Sequence, residues 1–234
     1  MCGRFVTPDE AEIERVWHIG RHTWKSPFSS IRNARFNVPP QQGAPENYIL
    51  AIRADPDGTL ELTDFQWWLL PSWSKSPTTT YSTFNVRVEN VATSASFKVP
   101  FRRHRCLIPA RGWYEWQVTP SGKQPWYFHS PDGALLAFAG LWDRWERGDQ
   151  VIESCAIVVG EAPPAMNHLH NRVPFLIPSD RQQAWLDPKL TDAEQVRGLL
   201  LPPADGALLW HPVSKAVGNV RNKGPELVER VNIE

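Results

Sequence analysis

The sequence predicts a single α+β domain spanning residues 1–234, in which antiparallel strands form a barrel-like or two-sheet core with flanking helices. Three observations lead there. Short runs rich in aromatic and β-branched residues recur between Tyr48 and Val159, separated by turn sequences. The helix-start signatures lie towards the two ends of the chain, so strands do not alternate regularly with helices as a doubly wound sheet requires. No internal repeat, low-complexity tract or linker divides the chain.

Taken in order, Thr7-Pro8-Asp9-Glu10 reads as a helix start, with Thr7 as N-cap, Pro8 at the first helical position and Glu10 closing a capping box, and the helix runs to about Ile19. No period is visible from Trp24 to Gln42, where Arg35-Phe36-Asn37-Val38-Pro39-Pro40 is extended because each proline disfavours helix at the residue before it. Tyr48–Arg53 and Leu60–Leu69 read as hairpin strands joined by Asp55-Pro56-Asp57-Gly58. Further strands are expected at Arg105–Ile108, Gly112–Gln117, Trp126–His129, Leu135–Trp142 and Val151–Val159. Pro163–Leu169 reads as a short helix and Pro174–Ile177 as a short strand. Ser179-Asp180 caps a helix through Trp185, Thr191-Asp192-Ala193-Glu194 opens another to about Leu200, and Leu208–His211 is the last strand.

At 234 residues, with 41% hydrophobic and 21% charged residues, the chain is of globular composition and long enough to bury a substantial core. It has no apolar run near 18 residues and no signal-peptide pattern, which predicts a cytoplasmic protein, nucleoid-associated in a bacterium. Cys2, Cys106 and Cys155 are odd in number and lack CxxC spacing, which argues against a disulfide framework and a structural zinc site. Net charge is zero, yet between Phe84 and Val118 six basic residues face only Glu89 and Glu115. Arginine outnumbers lysine 18 to 7, and the guanidinium is the better fork for phosphate and the better surface for stacking bases.

Several places carry residues suited to chemistry. Trimming of Met1 would leave Cys2 with an α-amine and a thiol, which titrate near ~8 and ~8.5, so both nucleophiles would be accessible near neutrality; the alternative is an ordinary small residue at a frayed end. Asn85 and Arg87 share a face if Asn85-Val86-Arg87-Val88-Glu89 is extended. Glu115 lies within the aromatic run Trp113-Tyr114-Glu115-Trp116, where desolvation would favour its protonated form and suit it to acid/base work; the alternative is an edge-strand carboxylate in solvent. His168 and His170 stand two apart without a third metal ligand, which favours a histidine proton shuttle over a metal. The polar tail from His211 to Asn222 suits a loop better than a helix.

These stretches together resemble one known family. Met1-Cys2-Gly3-Arg4-Phe5, Arg35-Phe36-Asn37-Val38 with Pro40, Trp67 with Pro71 and Trp73, Asn85-Val86-Arg87-Val88-Glu89, Cys106-Leu107-Ile108-Pro109 leading to Gly112-Trp113-Tyr114-Glu115-Trp116, His170-Asn171-Arg172-Val173-Pro174, and Pro212-Val213-Ser214 with Val217 and Asn219 look like the SOS-response-associated peptidase (SRAP) family, in order and over essentially the whole chain. The resemblance implies a protein that binds single-stranded DNA carrying an abasic site, including at single-strand to double-strand junctions, and cross-links to it through Cys2. It further implies an enzyme of hydrolase, peptidase or lyase class that removes its own Met1 and acts as a monomer without metal or cofactor. Position by position, it implies Cys2 as nucleophile, Asn85 and Glu115 lining the site and His170 assisting proton transfer. Arg4, Arg87, Arg105 and Arg172 would hold DNA phosphates, with Asn37, Trp67 and Trp68 also at the DNA. Trp68 stands where the family commonly has glycine, Val86 where it has alanine, and Val173 where it has methionine or arginine. Two other classes remain open on sequence: an N-terminal nucleophile amidohydrolase, and a non-covalent single-stranded DNA binding module.

Overall fold

The structure, a computed structural model, describes residues 2–19, 29–44, 48–204 and 206–233. Among them are twelve strands and five α-helices, in the order β1 (Phe5–Thr7), α1 (Glu10–Trp17), β2 (Arg35–Val38), β3 (Tyr48–Ala54), β4 (Leu60–Trp67), β5 (Asn85–Arg87), α2 (Lys98–Arg103), β6 (Arg105–Ala110), β7 (Gly112–Thr119), β8 (Gly122–His129), β9 (Leu136–Arg147), β10 (Gln150–Glu161), α3 (Pro164–Asn167), β11 (Arg172–Pro174), α4 (Ser179–Leu186), α5 (Ala193–Arg197) and β12 (Leu209–Pro212). One sheet has the order β12-β8-β7-β1-β2. The other runs β11-β10-β4-β3-β6-β9, and because β9 also pairs with β10 it closes five strands into a ring. Alternate residues of that ring supply two cores. Phe65, Trp67, Cys106, Phe138, Cys155 and Ile157 pack against Phe5, Trp113 and Phe128 of the five-stranded sheet. Leu50, Ile52, Leu107, Leu141 and Val158 pack beneath the helices, against Ile13, Phe101, Trp185 and Val196.

The expected α+β architecture stands, and most strand positions hold. Four expectations change. The strands are not all antiparallel, because β10 runs parallel to β4 and to β5. Asp9, not Thr7, caps α1, accepting a hydrogen bond from the Glu12 amide at 2.9 Å. Thr7 is held in β1, where its hydroxyl accepts from the Arg35 amide at 3.0 Å, so tertiary pairing delays the helix start by two residues. The helix also stops sooner than expected, with His18 in the left-handed region at φ 52°. The predicted C-terminal helix caps shift likewise, to Pro178 and Asp192. Helix α2 was not signalled, since its lysine, proline and paired arginines form no apolar period. Of the aperiodic stretch Trp24–Gln42, residues 24–28 lie outside the described residues.

Candidate active site

The chain terminus reaches the centre of the molecule because β1 is an interior strand. Phe5 pairs with Trp113 of β7 on one side and with Val38 of β2 on the other, and the Tyr114 amide donates to the Arg4 carbonyl at 3.0 Å. This register carries Cys2 past Tyr114 into the apolar core, where it is fully buried beside Phe5, Trp67 and Trp113. It is not a frayed end. Burial, and next the charge of Glu115, push its thiol well above the usual range, so the resting sulfur is protonated. Met1, which precedes it in the sequence, lies outside the described residues.

Asn85 and Glu115 converge on this terminus from strands β5 and β7, and His170 from the loop between α3 and β11. Asn85 opens β5 opposite Ile157, and its Nδ2 donates to the Cys2 carbonyl at 2.6 Å. Its Oδ1 is buried and accepts no hydrogen bond among the described residues. Glu115 lies two residues from Trp113 on β7 and therefore on the same inward face. It is 2% exposed, which excludes the solvent-facing alternative, and burial raises its carboxyl to about 7 while the chain-terminal ammonium pulls the other way. His170 follows α3, and its Nε2 stands 3.6 Å from Glu115 Oε2. Burial keeps the imidazole below its ordinary range and hence neutral at pH 7. Both backbone groups of Arg172 address His170 Nδ1: the amide donates at 3.1 Å, and the carbonyl lies 3.0 Å away to accept when Nδ1 carries the proton. The ring can therefore exchange tautomers without turning.

The residues expected at the DNA fall into two groups. Arg87 is exposed on β5, and Arg172 sits half-buried at the start of β11. Trp68 is also partly exposed, tilted against Phe84 with its Nε1 on Thr79 Oγ1 at 2.9 Å. The others are taken up by the fold. Arg105 is 3% exposed, and its guanidinium donates to five carbonyls, of Trp185, Phe101, Arg102, Asp187 and Leu190, at 2.5–3.0 Å. A phosphate could reach it only by breaking that set, so its assignment as a phosphate ligand is corrected to a clamp between β6, α2 and α4. Trp67 is fully buried with Nε1 on the Phe84 carbonyl at 3.0 Å, which removes it from direct base contact. Asn37, also buried, sits at φ 53° and donates to the carbonyls of Val217, Asn219 and Asn222. Its Oδ1 accepts from Arg4, which also reaches the Val217 carbonyl and lies over the Trp116 ring. Arg4 and Asn37 thus fasten the terminal strand to the tail, whose Lys215–Gly218 is a 3₁₀ turn rather than a plain loop.

Sequence reading gave no role to Glu89, although it is one of only two carboxylates in the basic stretch. It forms an ion pair with Arg172. A cavity of about 650 Å³ lies apart from this constellation, between α4 and the β3–β4 turn, lined by Trp17, Leu60 and Leu186. Among the described residues no group of three or more His, Cys, Asp or Glu is placed to hold a metal, and no helix is long and apolar enough to cross a membrane.

Comparison with known proteins adds to this geometry. A family model described as SOS response associated peptidase (SRAP) matches residues 1–220. The chain is 31% identical over 232 residues to the abasic site processing protein YoqW of Bacillus subtilis, covering 98% of this chain and 99% of that one. It is 30% identical over 234 residues to the abasic site processing protein YedK of Escherichia coli, covering 99% and 100%. Among solved structures, a protein from Bacteroides thetaiotaomicron superposes with a TM-score of 0.82 over 99% of this chain and 100% of its own, at 20% identity, a likeness of fold alone.

Proposed function

Because the chain belongs to the SOS response associated peptidase (SRAP) family, we propose that it processes abasic sites in single-stranded DNA by linking itself covalently to them through Cys2 once Met1 has been removed. The observation that supports this most is the buried Glu115 carboxyl, raised to about 7, beside Cys2 and 3.6 Å from His170. The names carried by the relatives from Bacillus and Escherichia support the lesion as substrate.

The ring-opened deoxyribose of an abasic site presents an aldehyde. The Cys2 α-amine adds to that carbon, and the carbinolamine loses water to give an imine. The Cys2 sulfur then adds to the same carbon while its proton passes to the nitrogen, closing a five-membered thiazolidine. Each stage needs a proton delivered or removed in an apolar surrounding, and a carboxyl poised near 7 can do either. Protonated Glu115 assists the departure of water; ionised, it takes the proton of the thiol, which burial otherwise keeps on sulfur. His170, neutral and able to exchange tautomers, opens the sugar ring and relays protons to Glu115. Asn85 fixes the terminus through the Cys2 carbonyl and leaves its Oδ1 to accept from the amine or a sugar hydroxyl. The same proton transfers in reverse would release the DNA. Arg87 and Arg172 at the rim, with the partly exposed Trp68, are the groups assigned to phosphates and a base. Removal of Met1 is the peptidase activity assigned to the chain, which works as a monomer.

The test is incubation with single-stranded DNA carrying one abasic site, followed by a denaturing gel. A heat-stable shifted band is expected from the trimmed protein and none from Cys2→Ser. If Cys2→Ser, or a form that retains Met1, cross-links as well as the trimmed protein, the proposed chemistry is wrong.

A further inference from the structure

We propose that Glu89 is a built-in competitor for DNA phosphate: in the free protein its carboxylate occupies Arg172 at the rim of the site, and DNA must displace it. This rests on the single-stranded DNA reading above. The geometry comes from the end of β10, which β5 and β11 flank. On one side β5 runs parallel to β10 with Arg87 opposite Val159, and the chain turns at once, the Asn90 amide donating to the Arg87 carbonyl at 3.0 Å. On the other, β11 runs antiparallel with Arg172 opposite Glu161. Glu89, on the turn, reaches across to Arg172 Nη1.

The turn that carries Glu89 is fixed at the preceding residue, through both backbone groups of Val88. The Val88 amide donates to the Val159 carbonyl at 2.9 Å, and the Val88 carbonyl accepts from Arg197 Nη1 at 3.0 Å. The carboxylate is thus presented to Arg172 by a rigid backbone and not by a wandering side chain. Arg172 Nη1 is engaged while its side chain is only 16% exposed, whereas Glu89 is 43% exposed and can swing into solvent. Burial acts to raise the Glu89 carboxyl, but its hydrogen bonds, chiefly with Arg172, and the charges of Arg172 and Arg87 outweigh this and hold it below its usual range, so at neutral pH the competitor is charged. Glu161, the register partner of Arg172 on β10, makes no ion pair with it among the described residues.

A guanidinium fork binds carboxylate or phosphate in the same planar geometry, so the two anions exclude each other at Nη1. Undamaged strands, which gain only phosphate contacts, would feel this competition in full. An abasic strand would be captured by the covalent step once it had arrived. Glu89 is therefore a specificity-determining residue: it weakens non-covalent grip and leaves retention to the lesion chemistry.

The probe is an unmodified 15-residue oligothymidylate, followed by fluorescence anisotropy at 50 and 300 mM NaCl with wild type, Glu89→Gln, Arg172→Ala and the double variant. Glu89→Gln should bind three- to tenfold more tightly at 50 mM, with a log–log salt slope steeper by about 0.7, the value for one further phosphate contact on a single strand. In the Arg172→Ala background the same change should give no gain. Unchanged or weaker binding by Glu89→Gln, or a gain that survives loss of Arg172, overturns the inference. A parallel gel with abasic DNA separates the two readings: wild type that binds the oligothymidylate but forms no cross-link refutes the covalent function and leaves the competition intact.

Discussion

Replacing Glu115 by glutamine tests the electrostatics at the heart of the site. Burial raises its carboxyl from an ordinary 4.5 to about 7, so the folded chain keeps this proton over a pH range in which the unfolded chain has released it. The stability that the retained proton supplies is complete below about pH 4.5 and is lost as the pH rises through about 7. At about 1.4 kcal/mol per pH unit the separation amounts to about 3 kcal/mol. Glu115 is 2% exposed, so solvent screening does not reduce that figure appreciably. Glutamine keeps the shape and cannot ionise. The stability of Glu115→Gln relative to wild type should therefore increase by about 3 kcal/mol between pH 4 and pH 8, measured by urea unfolding at both. Because His170 Nε2 lies 3.6 Å away, the comparison is repeated in a His170→Gln background so that the imidazole does not contribute to the difference. A gap that is the same at both pH values would refute the buried, proton-holding Glu115. Under the proposed chemistry the variant also loses the wild-type inflection in cross-linking rate near pH 7.

Two further outcomes concern residues expected at the DNA and found in the fold. Arg105→Lys leaves at most three donors for five carbonyls and should cost about 2–4 kcal/mol in thermal unfolding, while the folded variant binds oligothymidylate as wild type does; weakened binding without lost stability would restore Arg105 to the DNA. Asn37→Ala removes three donated bonds to the tail and one accepted from Arg4, and puts alanine at φ 53°, for an expected loss of about 2–4 kcal/mol and earlier proteolysis between Val217 and Asn222; unchanged protease resistance there would show that the tail is held by other contacts.

The hairpin strands, the long pair β9 and β10 and the tail strand were legible because turn residues bracket alternating apolar runs, a signal that acts over ten residues or fewer. Parallel pairing of β10 with β4 and β5 was not, since the partners lie some 70 to 90 residues apart and parallel contacts leave no local turn signature. The same limit explains Thr7, whose capping signal is sound locally and is overridden by pairing with Arg35. For the site, Cys2, Asn85, Glu115 and His170 stood out as polar residues within apolar or motif-like stretches, and the fold brings all four together. Arginine identity could not separate surface from interior: Arg87 and Arg105 belong to one basic stretch, yet one is exposed and the other satisfied by carbonyls of the helix just before it and of the segment Trp185–Leu190, 80 to 85 residues away.

Composition, strand and turn chemistry and the order of the motifs were enough to establish the α+β class and the family resemblance and to single out Cys2 as a candidate, because these depend on residue type and short-range spacing. Tertiary structure decided what no spacing encodes: that the terminus is an interior strand, that burial sets the protonation of Cys2 and Glu115, and that Glu89 holds Arg172 across the end of β10. Those are properties of desolvation and of contacts between residues dozens of positions apart, and they exist only once the chain has closed around them.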